Sequence, residues 1–202
     1  MFSTIGRLFG DTFTKLKNWG VSNNKDRAFF PVSTFVVALL CIWVHFRQSG
    51  WGFSLADLKT SPLVILQHQF THIRLEHLSW NMLFLLLLGP PCEKYLGHLR
   101  WLLFFLASGC FAALGFGIYN PQTILIGASG SIAGLMAIYP FCQRSIVGLI
   151  LSGLGVLFYF SSQFFLSIDS IQAGIVDQTA YLGHVAGGVG GLILFSFINR
   201  RK

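Results

Sequence analysis

Six stretches of apolar residues, separated by short segments that hold most of the charge, limit what this chain can become. They run roughly Phe29–Phe46, Leu75–Pro90, Arg100–Ile118, Ser129–Phe141, Ile146–Leu166 and Ala180–Ile198. A helix needs about 20 apolar residues to cross a bilayer, and the second and fourth stretches fall short of that alone. Short or glycine-interrupted segments tend to border a cavity or site. With 53% hydrophobic residues and 10% charged ones, a soluble domain is excluded. The expected fold is an all-α polytopic membrane protein of six helices.

The net charge is +7. Its Lys and Arg residues form no single patch with interleaved aromatics, so no nucleic-acid partner is expected. They follow a topology pattern instead. If all six stretches span, one side holds Arg7, Lys15, Lys17, Lys25, Arg27, Lys94, Arg100, Arg144, Arg200, Arg201 and Lys202. The other holds Arg47, Lys59 and Arg74. That asymmetry places both termini in the cytoplasm. Cys41, Cys92, Cys110 and Cys142 form no CxxC pair and suggest neither a disulfide framework nor a zinc site.

The expected organisation is a cytoplasmic N-terminal segment (1–28), a membrane domain (29–199) and a basic cytoplasmic tail (200–202). Phe2, Ile5, Phe9, Phe13 and Leu16 recur at three- and four-residue spacing, which suits a helix lying in the membrane surface; a frayed tail is the alternative. No continuous apolar run precedes residue 20, so no cleavable signal peptide is expected. The first outer loop, about Arg47 to Gln69, carries Trp51, Phe53, Leu55 and the run Leu63–Leu66, and is expected to lie partly in the interface.

A polar group inside a membrane is costly unless satisfied, so each one requires an account. Gly127-Ala128-Ser129-Gly130 opens the short fourth stretch, where glycines permit a tight approach and a serine exposes its hydroxyl and its own N–H. About 15 residues at roughly 1.5 Å each cover about 22 Å of a roughly 30 Å core, which puts Ser129 below the outer surface. A plain N-cap serine is the bland alternative. In the sixth stretch, Gly183-His184 precedes Gly187, Gly188 and Gly191. Gly187-x-x-x-Gly191 can face Gly130-x-x-x-Gly134, and small residues at that spacing let two helix backbones come close. Such a contact would bring the imidazole to the serine, the minimal activated nucleophile. His77 and Asn81, four apart, share a helix face and suit stabilisation of an oxyanion. His68 and His72 are also four apart. A metal site is the alternative there, but no HExxH motif or nearby carboxylate or thiolate supports it.

Taken together, these residues resemble the rhomboid intramembrane serine proteases, over about Leu66 to Asn199. The resemblance rests on His77-x-x-x-Asn81, Gly127-x-Ser129-Gly130 and His184-x-x-Gly187-x-x-x-Gly191, with Gly89-Pro-Pro-Cys-Glu93-Lys-Tyr-Leu-Gly97 similar to the family's Glu-and-Gly loop. It implies a six-helix rhomboid-like bundle with a short central fourth helix around a wet cavity open to the outer side. It implies Ser129 as nucleophile and His184 as general base. The Ser129 N–H, His77 and Asn81 would form the oxyanion hole, with His72 and His68 supporting it. The implied substrates are single-span membrane proteins, with no cofactor and no metal; the bilayer expected is a bacterial plasma membrane. No acidic residue lies in the sixth stretch, which favours a dyad, with Asp177 read as a loop charge. Ala133 stands where many members carry an aromatic, and Lys59-Thr60-Ser61-Pro62 stands near the place of a Trp-Arg pair. A catalytically silent relative that binds or escorts membrane clients is the competing class. A small transporter would call for inverted repeats and mid-membrane charges, and neither is visible.

Overall fold

The computed structural model describes residues 29–48, 50–142, 146–172 and 181–199. Among them, six helices of ten or more residues follow in order: α1 Val32–Phe46, α2 Leu75–Leu96, α3 His98–Tyr119, α4 Ser129–Ile138, α5 Ile146–Gln172 and α6 Tyr181–Asn199. The described residues form no β-sheet; an isolated antiparallel bridge joins Phe53 to Leu125. The N-terminal segment 1–28, the tail 200–202, Arg144 and Asp177 lie outside the described residues.

α4 touches α2, α3 and α6. Almost every residue of it is buried, including Gly130–Leu135, Ala137 and Ile138. A helix apolar all round has no solvent face to offer, so it settles in the middle. The main apolar cluster gathers around it: Val37 and Cys41 of α1, Leu85 of α2, Trp101 and Phe105 of α3, and Leu135 and Ile138. By length and composition, α3 and Tyr181–Ile198 of α6 are apolar enough to cross a bilayer, whereas Val32–Phe46, Ser129–Cys142 and Ser152–Ser161 are shorter apolar stretches.

Most boundaries fall within three residues of the sequence reading, and two lie six residues further on. α2 does not stop at Pro90; it runs through Pro90 and Pro91 to Leu96. Each proline removes an N–H, yet its fixed φ suits a helix, and the next turn is held from outside. The buried Glu93 carboxylate accepts the Ser33 and Thr34 backbone N–H groups at 2.8 Å and the Thr34 hydroxyl at 2.6 Å. Those N–H groups open α1 and lack intrahelical partners, so one carboxylate on α2 caps another helix at its positive end. His98 approaches the same carboxylate at 2.5 Å. Gly97, at φ +84°, then ends α2, its N–H donating to the Glu93 carbonyl at 2.7 Å. α5 likewise continues past Leu166 to Gln172, because its polar end contains no Gly or Pro to break the backbone ladder.

The segment between α1 and α2 is anchored in the protein. Phe53 and Leu125 exchange backbone hydrogen bonds of 2.9 and 2.7 Å. The fully buried Phe53 packs with Val64, Ala113, Phe116 and Leu125 in a second cluster. The loop before α2 and the loop before α4 are thereby tied together.

Candidate active site

The backbone leading into α4 is shaped by its neighbours. Gly127 sits at φ +106°, and a Cβ there would fall 2.7 Å from His77 Cε1 and 3.0 Å from His77 Nε2. Only glycine meets both demands. Its N–H donates to the His68 carbonyl at 2.9 Å, and the Ala128 N–H donates to His72 Nε2 at 3.4 Å. Ala128, not Ser129, is the N-cap, and no side chain caps the helix. The N-cap reading of Ser129 is therefore corrected. As the first helical residue, Ser129 presents an N–H with no intrahelical acceptor and a hydroxyl that does not cap.

Glycine contacts bring α6 against α4. A Cβ on Gly187 would land on the Gly130 carbonyl, and one on Gly191 would lie 2.8 Å from Gly134 Cα. A Cβ on Gly134 would meet the Ser108 side chain of α3 at 2.5 Å. α3, α4 and α6 thus pack on one another, with α4 and α6 at backbone distance. This brings Ser129 and His184 to line one cleft, together with His68, Gly127, Gly130 and Gly183.

His77 and Asn81 approach from α2. The Asn81 Nδ2 would lie 3.7 Å from a Cβ on Gly127, on the same side as the His77 ring. Asn81 is 5% exposed, and its Nδ2 has no hydrogen-bond partner. A buried donor without an acceptor costs about 1–3 kcal/mol, so its retention requires an explanation outside packing.

His68 and His72 serve the backbone. His72 Nε2 accepts the Ala128 N–H, so its proton sits on Nδ1, which donates to the Phe70 carbonyl at 3.3 Å. The His72 carbonyl in turn accepts from His45 Nδ1 at 2.6 Å. Burial pushes His72 from the ordinary 6.5 down to about 4, with repulsion from His77 and His45 adding to it. Burial likewise lowers His68 to about 4, against the pull of the Val64 and Ile65 carbonyls. Both rings are neutral at pH 7. No group of three or more His, Cys, Asp or Glu among the described residues is arranged to hold a metal ion.

Two side chains at the site escaped sequence reasoning. Gln69 accepts the Ser131 hydroxyl at 2.8 Å and donates to the Ile65 and Leu106 carbonyls at 3.3 and 3.2 Å, linking the segment between α1 and α2 to α3 and α4. A polar residue in the run Leu66–Phe70 was the available signal. Tyr159 of α5 places its hydroxyl 3.4 Å from His184 Nδ1; inside an apolar helix, nothing nearby in sequence pointed to it. Ala133 is buried within α4, and it is the Tyr159 ring of α5 that lies 6.5 Å from the His184 ring, centroid to centroid.

Large apolar side chains cover the outside, such as Leu39 of α1, Leu103 of α3 and Phe158 of α5, while histidines, an amide and a serine gather inside. This is the build of an all-helical membrane protein with an internal polar site. The chain belongs to the Rhomboid family: the family model for the Rhomboid domain matches residues 60–201. It is 29% identical over 124 residues to the Bacillus subtilis (strain 168) protein named "Putative rhomboid protease YdcA", covering 55% of this chain and 62% of that protein. It is 29% identical over 93 residues to Rhomboid-related protein 2 of Mus musculus, covering 46% of this chain and 27% of that one. The chain thus spans less than two thirds of each of these relatives.

Proposed function

We propose that this protein is an intramembrane serine endopeptidase that cleaves single-span membrane proteins in or near their spanning segment. The observation that carries the reading is the cleft in which Ser129 and His184, far apart in sequence, both stand. Family membership and a relative named as a rhomboid protease support it.

The chemistry follows from the placement. His184 takes the Ser129 proton as the hydroxyl attacks the scissile carbonyl. The developing oxyanion is met by the Ser129 N–H at the positive end of α4, by Asn81 Nδ2 and by His77. The Asn81 donor, bare in the resting protein, gains its acceptor only when charge develops, so it favours the transition state over the ground state. His184 then protonates the leaving amine, and water in the cleft hydrolyses the acyl-enzyme. A peptide bond inside a helix is shielded, so the substrate must unwind locally first. His72 and His68 hold Ala128 and Gly127 through the Nε2 and carbonyl contacts described above. Gly127, Gly130, Gly134, Gly183, Gly187 and Gly191 keep the helices close. No cofactor takes part.

In this reading all six helices span. Residues 1–28 and 200–202 flank a membrane domain (29–199), both termini face the cytoplasm and the cleft opens outward, in a bacterial plasma membrane. A fluorophosphonate or isocoumarin probe tests it. Labelling that is lost in Ser129→Ala, with cleavage of a model single-span substrate in liposomes lost in Ser129→Ala and His184→Ala, is expected. Folded protein that neither labels nor cleaves refutes the protease and leaves a client-binding member of the family.

A further inference from the structure

We propose that Tyr159 is a positioning residue for His184: its phenolic oxygen accepts the imidazole Nδ1 proton and so keeps Nε2 bare for Ser129. The inference rests on the reading of Ser129 and His184 as nucleophile and base.

A neutral imidazole carries one proton, and the nitrogen that holds it cannot take another from a serine. Something must therefore select the tautomer. α6 contains no Asp or Glu to do so. The Tyr159 hydroxyl stands 3.4 Å from Nδ1, long for a hydrogen bond but in keeping with resting sites that tighten on substrate binding. With Oη as acceptor, Nδ1 keeps its proton and Nε2 is left for the cleft. When His184 takes the serine proton, the Nδ1–H···Oη bond persists and stays with the cation. The tyrosine ring also lies 6.5 Å from the imidazole, centroid to centroid, at 32°, which limits how far the base can swing.

The next residue holds this arrangement in register. The Phe160 ring occupies the notch left by Gly188, so closely that a Cβ there would collide with it. Gly188 is one turn after His184, so Phe160 docks α5 onto α6 beside the position where Tyr159 meets the base. The Tyr159 and Phe160 rings meet edge to face at 5.2 Å.

Tyr159→Phe removes only the hydroxyl and tests the idea. We expect kcat for a model substrate to fall about 10-fold, the worth of one net hydrogen bond, with KM unchanged and with Ser129 labelling by fluorophosphonate slowed in proportion. In protein carrying ¹⁵N-histidine, with His184 assigned by its loss in His184→Ala, the ring nitrogens should show Nδ1 protonated. In Tyr159→Phe they should show a shift toward the Nε2–H form. A merely structural tyrosine would lower the thermal midpoint without changing the tautomer. If Tyr159→Phe cleaves at the unmodified rate and the ¹⁵N shifts of His184 do not move, the proposal is overturned while the protease reading stands. If the unmodified protein proves inactive and unlabelled, the protease reading fails. The tautomer then still decides the hydrogen bond: a change in Tyr159→Phe upholds it, and identical spectra overturn it.

Discussion

The close approach of α4 and α6 sets the position of the base, and Gly191→Ala perturbs it at a distance. The new Cβ would lie 2.8 Å from Gly134 Cα and 3.0 Å from the Gly134 oxygen, where ordinary contact begins at 3.4 Å. Both neighbours are backbone, so no rotamer change relieves the clash. The helices must separate by at least about 0.6 Å (3.4 minus 2.8) at that point. Overpacking of this kind costs about 1–3 kcal/mol. His184 lies two turns away on the same helix, about 10 Å along the axis, and moves with it. Misplacement of a reacting group by about 1 Å costs about 100-fold, so this opening should slow cleavage by about 10- to 100-fold. Gly155→Ala in α5 is the control, since nothing lies within 4 Å of a Cβ there. It should hold or raise stability by up to about 1 kcal/mol through helix propensity. The assay pairs thermal unfolding in detergent with cleavage of a fluorogenic single-span substrate in liposomes. An unmodified rate and midpoint for Gly191→Ala, or equal harm from Gly155→Ala, would refute the reasoning.

Asn81→Ala should slow turnover by about 10- to 1000-fold while sparing thermal stability, because its Nδ2 has no partner to lose in the resting protein; steady-state kinetics beside a melting curve check it. Glu93→Gln should lower stability by about 1–3 kcal/mol, since a neutral amide offers one acceptor and brings an N–H₂ to donors on α1; denaturant titration in mixed micelles measures it. Acidification should weaken the segment before α2. His68 and His72 drop from 6.5 to about 4 on folding, so between those values the unfolded chain binds more protons and stability falls as pH falls. The loss is on the order of 2–3 kcal/mol for each ring by pH 4. A melting point that stays flat from pH 7 to 4.5, or a His72→Gln variant as acid-sensitive as the unmodified protein, would contradict this.

Much of the architecture is written locally. Apolar stretches reveal helices because hydrophobicity recurs along the chain itself, and the four-residue glycine spacings of α4 and α6 mark faces made for close contact. The chemistry-bearing residues could be named for the same reason: a Ser, His or Asn in an apolar run is conspicuous, since burial penalises it. Other features were invisible because they depend on partners distant in sequence. The second apolar stretch ended at Pro90, yet α2 passes through both prolines to Leu96, and on that last turn Glu93 is gripped by the start of α1. Gln69 looked like a loop residue until Ser131 was brought beside it, and the Phe53–Leu125 bridge joins loops that share no local pattern. Nor could sequence say that a tyrosine on α5 meets the imidazole on α6. Periodicity and composition thus decided which segments are helices and which side chains demand an account. Only tertiary packing decided which groups meet, because close approach depends on how whole helices interlock and not on what any one of them contains.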